Sequence, residues 1–236
     1  MRKRHNLQPR MERCSEYLIG EPQRLRGTWK REGRGLLLEI GCGKGSFTCS
    51  LAEAEPDNDL IAVEKVPDAM LLAMERAKKM KLSNVRFLDL DAAGLREVFA
   101  AEEVDRIYLN FSDPWPKSRD AKFRLTAPAF LRSYADVLPV GGELRFKTDN
   151  LALFDWSLLQ LEQEKWEISE KTYDLHAHGI CGILTDYESR FLQEGIAIKA
   201  LTAVRTAETL DSSAGEPPRL RNAALADARA LQEEKK

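Results

Sequence analysis

The stretch Asn110-Phe111-Ser112-Asp113-Pro114-Trp115-Pro116-Lys117 sets a carboxylate, an indole and an ammonium within a few residues of one another. A carboxylate can balance positive charge developing on a substrate, an indole can stack on a flat ring, and an ammonium can hold an anionic group. The stretch follows an apolar run, Val104 to Leu109, that reads as a buried strand. Pro114 and Pro116 end that strand and bias the residues before them, Asp113 and Trp115, toward extended backbone. These side chains should therefore stand at the carboxyl end of a strand, where open α/β sheets bind ligands. By itself the stretch could also be a Pro-rich turn around a core tryptophan, and for Trp115 the core role and the stacking role both stay open.

More acids recur at the same kind of position. Leu36-Leu37-Leu38-Glu39-Ile40 is a short apolar run leading into Gly41-Cys42-Gly43-Lys44-Gly45, and Ser46 to Ala54 continues as a short helix. Strand, glycine turn and helix open a nucleotide-binding βαβ unit, because glycine lets backbone approach a ligand closely. The next run, Leu60 to Val63, ends in Glu64, about 20 residues beyond the glycines, where a ribose-binding carboxylate is expected. A third, Val85 to Leu88, leads to Asp89-Leu90-Asp91-Ala92. Acids at three successive strand ends, Glu39, Glu64 and Asp91, are harder to assign to chance than one.

The remaining elements must hold this rim together. Pro67 starts a helix whose Met70, Ala73, Met74, Ala77 and Met80 form an apolar face. A short helix is expected near Leu95 to Ala100, and another from Pro128, with Thr126 as a candidate N-cap. Gly141-Gly142 turns the chain into a strand over Glu143 to Lys147, followed by Thr148-Asp149-Asn150 and a helix over residues 151–163. Trp166 to Tyr173 and Ile196 to Val204 read as the last two strands, joined without a helix through a loop that carries Thr185-Asp186-Tyr187-Glu188. Strands alternating with helices predict an α/β fold: a doubly wound, mostly parallel seven-stranded sheet with an antiparallel last strand. The expected division is a basic arm over residues 1–35 with one short helix near Glu12 to Ile19, a catalytic domain over residues 36–205, and a charged tail over residues 206–236.

Composition narrows the function classes. A chain of 236 residues with 43% hydrophobic and 31% charged residues can bury a sizeable core. No apolar run approaches a membrane span, and the basic start lacks the apolar segment of a signal peptide. Four scattered cysteines without a C-x-x-C pair suit a reduced cytoplasmic setting. His176, His178 and Cys181 do not complete a tetrahedral set, so no metal site is expected. The net charge of -2 hides asymmetry. Residues 1–34 carry ten basic against four acidic groups, residues 36–110 nine against fourteen, and residues 117–124 have a surplus of three positive charges. Basic segments flanking an acidic centre suit a polyanion held over a cationic cofactor.

The glycine turn departs from the dinucleotide fingerprint, its third glycine coming one residue early, and the strand-end acids would repel a pyrophosphate. They suit S-adenosylmethionine, with its sulfonium, amino group and ribose diol. The run Glu39-Ile40-Gly41-Cys42-Gly43-Lys44-Gly45 resembles motif I of class I methyltransferases. Joined to Glu64, Asp91-Ala92, the run from Tyr108 to Lys117, Arg124-Leu125-Thr126, Phe146-Lys147-Thr148-Asp149-Asn150 and the run from Thr185 to Phe191, the chain resembles the tRNA (guanine-N7)-methyltransferases over roughly residues 2–202. The resemblance implies cofactor contacts at Glu39, Gly41, Gly43, Glu64, Asp91 and Asp113, with Asp113 also the catalytic candidate. It implies that Lys117, Asp149, Thr185, Asp186, Tyr187 and Glu188 hold the guanosine. Arg119, Lys122 and Arg124 would meet tRNA phosphates, helped by Arg2, Lys3 and Arg4 of the arm. It further implies a cytoplasmic monomer or homodimer, with tRNA as partner and neither membrane nor metal. An amino-group methyltransferase with a related D-P-W strip and a non-catalytic RNA-binding module remain the alternatives at this level.

Overall fold

A computed structural model describes residues 7–214. In chain order the elements are α1 (Leu7–Glu12), β1 (Leu36–Ile40), α2 (Ser46–Ala54), β2 (Asp59–Val63), α3 (Pro67–Met80), β3 (Val85–Leu88), α4 (Leu95–Val98), β4 (Arg106–Asn110), α5 (Pro128–Val137), β5 (Glu143–Thr148), α6 (Leu151–Gln163), β6 (Glu167–Thr172), α7 (Asp186–Gln193) and β7 (Lys199–Val204). The strands form one seven-stranded sheet in the order β3-β2-β1-β4-β5-β7-β6. The first five pair in parallel, while β7 runs antiparallel to both β5 and β6.

Alternation along β1 explains the two-sided burial. Leu36, Leu38 and Ile40 point into a core shared with α4, α5 and α6, while Leu37 points into one built on α2 and α3. Strands covered on both faces need apolar residues at every position, which is why β1 and β2 read as continuous apolar runs. The chain order jumps outward from β1 in both directions, so the strand ends of β1 and β4 flank the switch point where such sheets form a crevice.

The sheet agrees with the sequence expectation, and four local expectations need correction. First, the short helix of the basic arm is displaced towards its start. Helix α1 lies at Leu7–Glu12, ahead of the expected helix, and Leu18 bridges to Phe87 beside β3. Cys14, Tyr17 and Trp29 are buried, and the Arg10 guanidinium grips Glu75 of α3 with bonds of 2.8 and 2.6 Å. Arg2, Lys3 and Arg4 lie outside the described residues, as does the tail beyond residue 214. Second, β6 and β7 are separated by a helix, α7, which starts with a full capping box: the Thr185 side chain accepts from Glu188 N, and the Glu188 side chain accepts from Thr185 N. Third, Thr126 does not cap α5. Proline at the first helical position puts Ala127 at the N-cap, and the Thr126 hydroxyl instead meets Ser157 at 2.6 Å. Fourth, Trp115 is not extended. It has φ +42, and Phe111 has φ +54, a backbone region that side-chain-bearing residues rarely adopt. The strip after β4 therefore makes two tight left-handed bends instead of running straight.

Candidate active site

The carboxyl ends of β1 to β5 form the rim on which the sequence analysis centres. Glu39 is the fourth residue of β1 and only 2% exposed. Its carboxylate accepts from the Thr48 hydroxyl of α2 and from Asn110 Nδ2 at the end of β4, the latter at 3.0 Å. Burial pushes its pKa up, the two hydrogen bonds oppose that, and the neighbouring negative charge of Glu64 adds to the rise. Glu39 thus ties the glycine turn to the strip: one oxygen holds the first helix after the turn, the other holds the residue from which the strip departs.

The turn itself is built on positive φ. Gly45 has φ +72, and a Cβ there would lie 2.6 Å from the Ala73 Cβ, so only glycine lets α2 and α3 approach. Gly41 and Gly43 also have positive φ, and a Cβ at either would meet nothing within 4 Å, so open space lies above that backbone. Glu64 anchors the turn from β2: its carboxylate accepts from Gly43 N and from Val66 N, both at 2.9 Å. Each oxygen keeps a second lone pair for a hydroxyl. Burial raises the Cys42 thiol well above its usual range and pushes Cys49 up to about 12.

Asp91 caps the short turn after β3, accepting from Ala93 N at 3.0 Å, and is exposed. Asp113 and Lys117 are exposed, and their side chains have no hydrogen-bond or ion-pair partner among the described residues. Trp115 is half-buried against Phe123, ring centroids 5.3 Å apart, so it is neither a core residue nor fully free. Arg119 and Lys122 remain exposed, with the Lys122 ammonium over the Phe123 ring at 5.1 Å. The Arg124 side chain turns inward. Its guanidinium donates to the Pro114 and Trp115 carbonyls at 3.0 Å and lies 4.4 Å from the Trp156 ring centroid, and burial lowers its pKa. In this arrangement it braces the bends of the strip.

The second half of the rim gathers around α7. The Asp186 carboxylate accepts from Ser46 Oγ at 2.7 Å and Arg76 at 3.2 Å, which joins α7 to α2 and α3. Tyr187 is 60% exposed and stacks on Phe111, centroids 5.9 Å apart, with Phe191 completing the cluster. Glu188, by contrast, is fully buried and spent on Thr185 N and on the Lys147 ammonium at 2.7 and 2.9 Å. Asp149 follows β5, and its carbonyl accepts from the Lys199 ammonium at 3.0 Å. The acids of the first half and the Thr185–Glu188 segment are therefore on one rim, but their side chains divide into exposed groups (Asp91, Asp113, Lys117, Tyr187) and internal supports (Glu39, Thr185, Glu188, Arg124). Sequence reasoning missed Asn110, Lys147 and Phe111 as supports. Their signal was position: each lies at the carboxyl end of a strand or one residue beyond.

His176 packs against Glu188 and His178 does not join it; no group of three or more potential metal ligands occurs among the described residues. No helix among them is long and apolar enough to cross a membrane.

Comparison with known proteins gives one answer. Residues 34–201 match the family described as "Putative methyltransferase". A tRNA (guanine-N(7)-)-methyltransferase of Brevibacillus brevis is 43% identical over 190 residues, covering 78% of this chain and 89% of that protein. One from Lachnoclostridium phytofermentans is 41% identical over 199 residues, covering 82% and 93%. Among solved structures, the 16S rRNA methyltransferase KamB superposes with a TM-score of 0.57 at 16% identity, covering 78% of this chain and 92% of that one. TrmN from Thermus thermophilus gives 0.53 at 23%, covering 78% and 47%. At those identities the structural likeness speaks for the class I methyltransferase fold alone.

Proposed function

The chain belongs to the tRNA (guanine-N(7)-)-methyltransferase family, and from that premise we propose that it transfers a methyl group from S-adenosyl-L-methionine to N7 of a guanosine in the variable loop of tRNA. The observation that carries the reading is the bridge from Glu39 to Asn110 and Thr48. It joins the open glycine turn, on the cofactor's side, to the root of the strip bearing Asp113. The open backbone at Gly41 and Gly43, and the spare lone pairs of Glu64, fit a nucleoside with a ribose diol. Asp91 is suited to the adenine side. S-adenosylmethionine supplies an electrophilic methyl on sulfur.

N7 of guanine has an in-plane lone pair free for attack, so no proton need be removed first. The work left to the protein is alignment and charge balance. Methylation leaves the guanine ring positive, and Asp113, an exposed carboxylate with no partner among the described residues, is the group suited to balance that charge. Lys117, Asp149, Asp186 and Tyr187 are suited to orient the nucleoside, and Arg119 and Lys122 to meet backbone phosphates. Such phosphate contacts set affinity and register without reading sequence.

Purified chain, labelled S-adenosylmethionine and unmodified bulk tRNA test the reading. N7-methylguanosine in the nuclease digest supports it, and its absence defeats it. A methyl on an exocyclic amine would favour the amino-group reading instead.

A further inference from the structure

We propose that His176 is a positioning residue for this reaction: acting through Glu188 and Lys147, it fixes the first turn of α7 on the rim. The inference rests on the reading above and names a support outside the residues that the family resemblance implies. Three separate pieces of chain converge on the buried Glu188 carboxylate. Lys147 reaches it from the carboxyl end of β5 at 2.9 Å and also donates to the Ile183 carbonyl at 3.2 Å. Thr185 N donates at 2.7 Å within the capping box. The third is the His176 imidazole, with a side chain only 3% exposed and Nε2 at 3.5 Å from Glu188 Oε1.

The ring's tautomer follows from its other nitrogen. Nδ1 accepts from Cys181 N at 3.2 Å, so the neutral ring carries its proton on Nε2, the atom that faces Glu188. At 3.5 Å the contact is longer than a hydrogen bond, and Nε2 has no hydrogen-bond partner among the described residues. A buried N–H without a closer acceptor leaves Glu188 as the group it serves. The carboxylate cannot move without taking the helix start with it, since its other oxygen is the cap. Asp186 and Tyr187 are the next residues along. One is bonded to Ser46 beside the glycine turn and the other stacks on Phe111 at the root of the strip. A shift at Glu188 would therefore displace both groups from the rim while leaving the glycine turn and Glu64 in place.

The full chain carrying His176→Leu, with His176→Gln as the conservative partner, tests this by steady-state methylation, cofactor calorimetry and amide hydrogen exchange. In the leucine variant the KM for tRNA should rise about tenfold with kcat within about twofold. S-adenosylmethionine affinity should stay unchanged, and the amides of residues 185–189 should exchange about tenfold faster. The glutamine variant, whose amide can donate to Glu188, should restore most of both effects. His176→Asn, polar but too short to reach, gives the same readouts should the leucine variant fail to fold. Unchanged exchange at residues 185–189 overturns the proposal. So does an equal loss of cofactor affinity, kcat and KM, which would mark general destabilisation. Exchange needs no methyl transfer: a wild-type chain that makes no N7-methylguanosine defeats the functional reading, while the exchange result still decides the role of His176.

Discussion

The two rims of the sheet treat charge differently. At the amino ends of the strands several charged groups are matched. Asp59 is held by Arg31 and Arg34, Asp105 by Lys30, and Arg106 lies between Glu143 and Glu55. The buried Glu103 carboxylate accepts three backbone N–H groups, from Gly27, Trp29 and Ala100. At the carboxyl ends, the side chains of Lys44, Asp113 and Lys117 stand exposed with no partner among the described residues. The amino rim clamps the segment before β1 onto the sheet; the carboxyl rim pairs Asp186 with Arg76 and Glu188 with Lys147 but leaves Lys44, Asp113 and Lys117 facing outward. What sets the carboxyl rim apart is that Asp113 and Lys117 stand within four residues of each other with side chains that lack an internal partner among the described residues.

Breaking each rim should therefore have a different signature. The largest effect is expected from Asp113→Ala: kcat/KM for tRNA lower by about 100-fold or more, with the thermal midpoint unchanged. Steady-state methylation beside calorimetric melting checks it, and a variant with full activity would remove Asp113 from the chemistry. Glu103→Ala should do the reverse. Losing the acceptor for three backbone N–H groups should cost about 3 kcal/mol in urea unfolding, while the folded fraction keeps its kinetic constants. A third, smaller effect belongs to the basic loop. Arg119→Ala should weaken tRNA binding severalfold and lower the slope of log affinity against log salt by about one. An unchanged slope would take Arg119 off the phosphates.

The smallest effect sharpens the comparison through pH, because two acids on opposite rims are shifted in opposite directions. At Asp59 burial raises the pKa, but the Arg31 and Arg34 pairs outweigh it, leaving it below its ordinary value of 3.8. A depressed acid contributes stability above that ordinary value and loses it as pH falls through the folded value. At Glu39 burial dominates and the pKa is raised above 4.5. There stability declines as pH climbs from the ordinary value through the raised one. Asp59→Asn should thus lose stability at neutral pH, with the loss shrinking as pH falls below 3.8 towards the lowered folded value, whereas Glu39→Gln should gain relative to wild type at neutral pH and lose that gain in acid. Melting curves across pH 3 to 8 check both. Parallel responses would mean that the two environments do not differ as described.

How much of this could be read from the chain depended on range. The parallel half of the sheet, the glycine turn and the acids at the ends of β1, β2 and β3 were legible because each is a local pattern: an apolar run with an acid at its carboxyl end and turn residues close by. The segment before β1 was not. Its ten basic residues look like a solvated arm until Arg10, Lys30, Arg31 and Arg34 meet acids far along the sequence. The helix between β6 and β7 lacks a continuous apolar stripe, yet its Thr185-x-x-Glu188 box was a usable start signal. Residue type alone also could not separate Asp113, which faces outward, from Glu188, which is sealed inside. The left-handed backbone at Trp115 had no local cue at all, since the proline after it argues for extension. It is sustained by the Arg124 guanidinium on the carbonyls of Pro114 and Trp115, an anchor ten residues away.

The sheet order carries a consequence for how the polypeptide is made. Because β7 inserts between β5 and β6, the free edge of β5 has no partner until about fifty more residues have left the ribosome. Throughout that interval a nascent sheet presents bare amide and carbonyl groups to other chains. Crowded, rapid expression is where this molecule should be most prone to clump, and slowing translation after Thr148 would prolong its exposure.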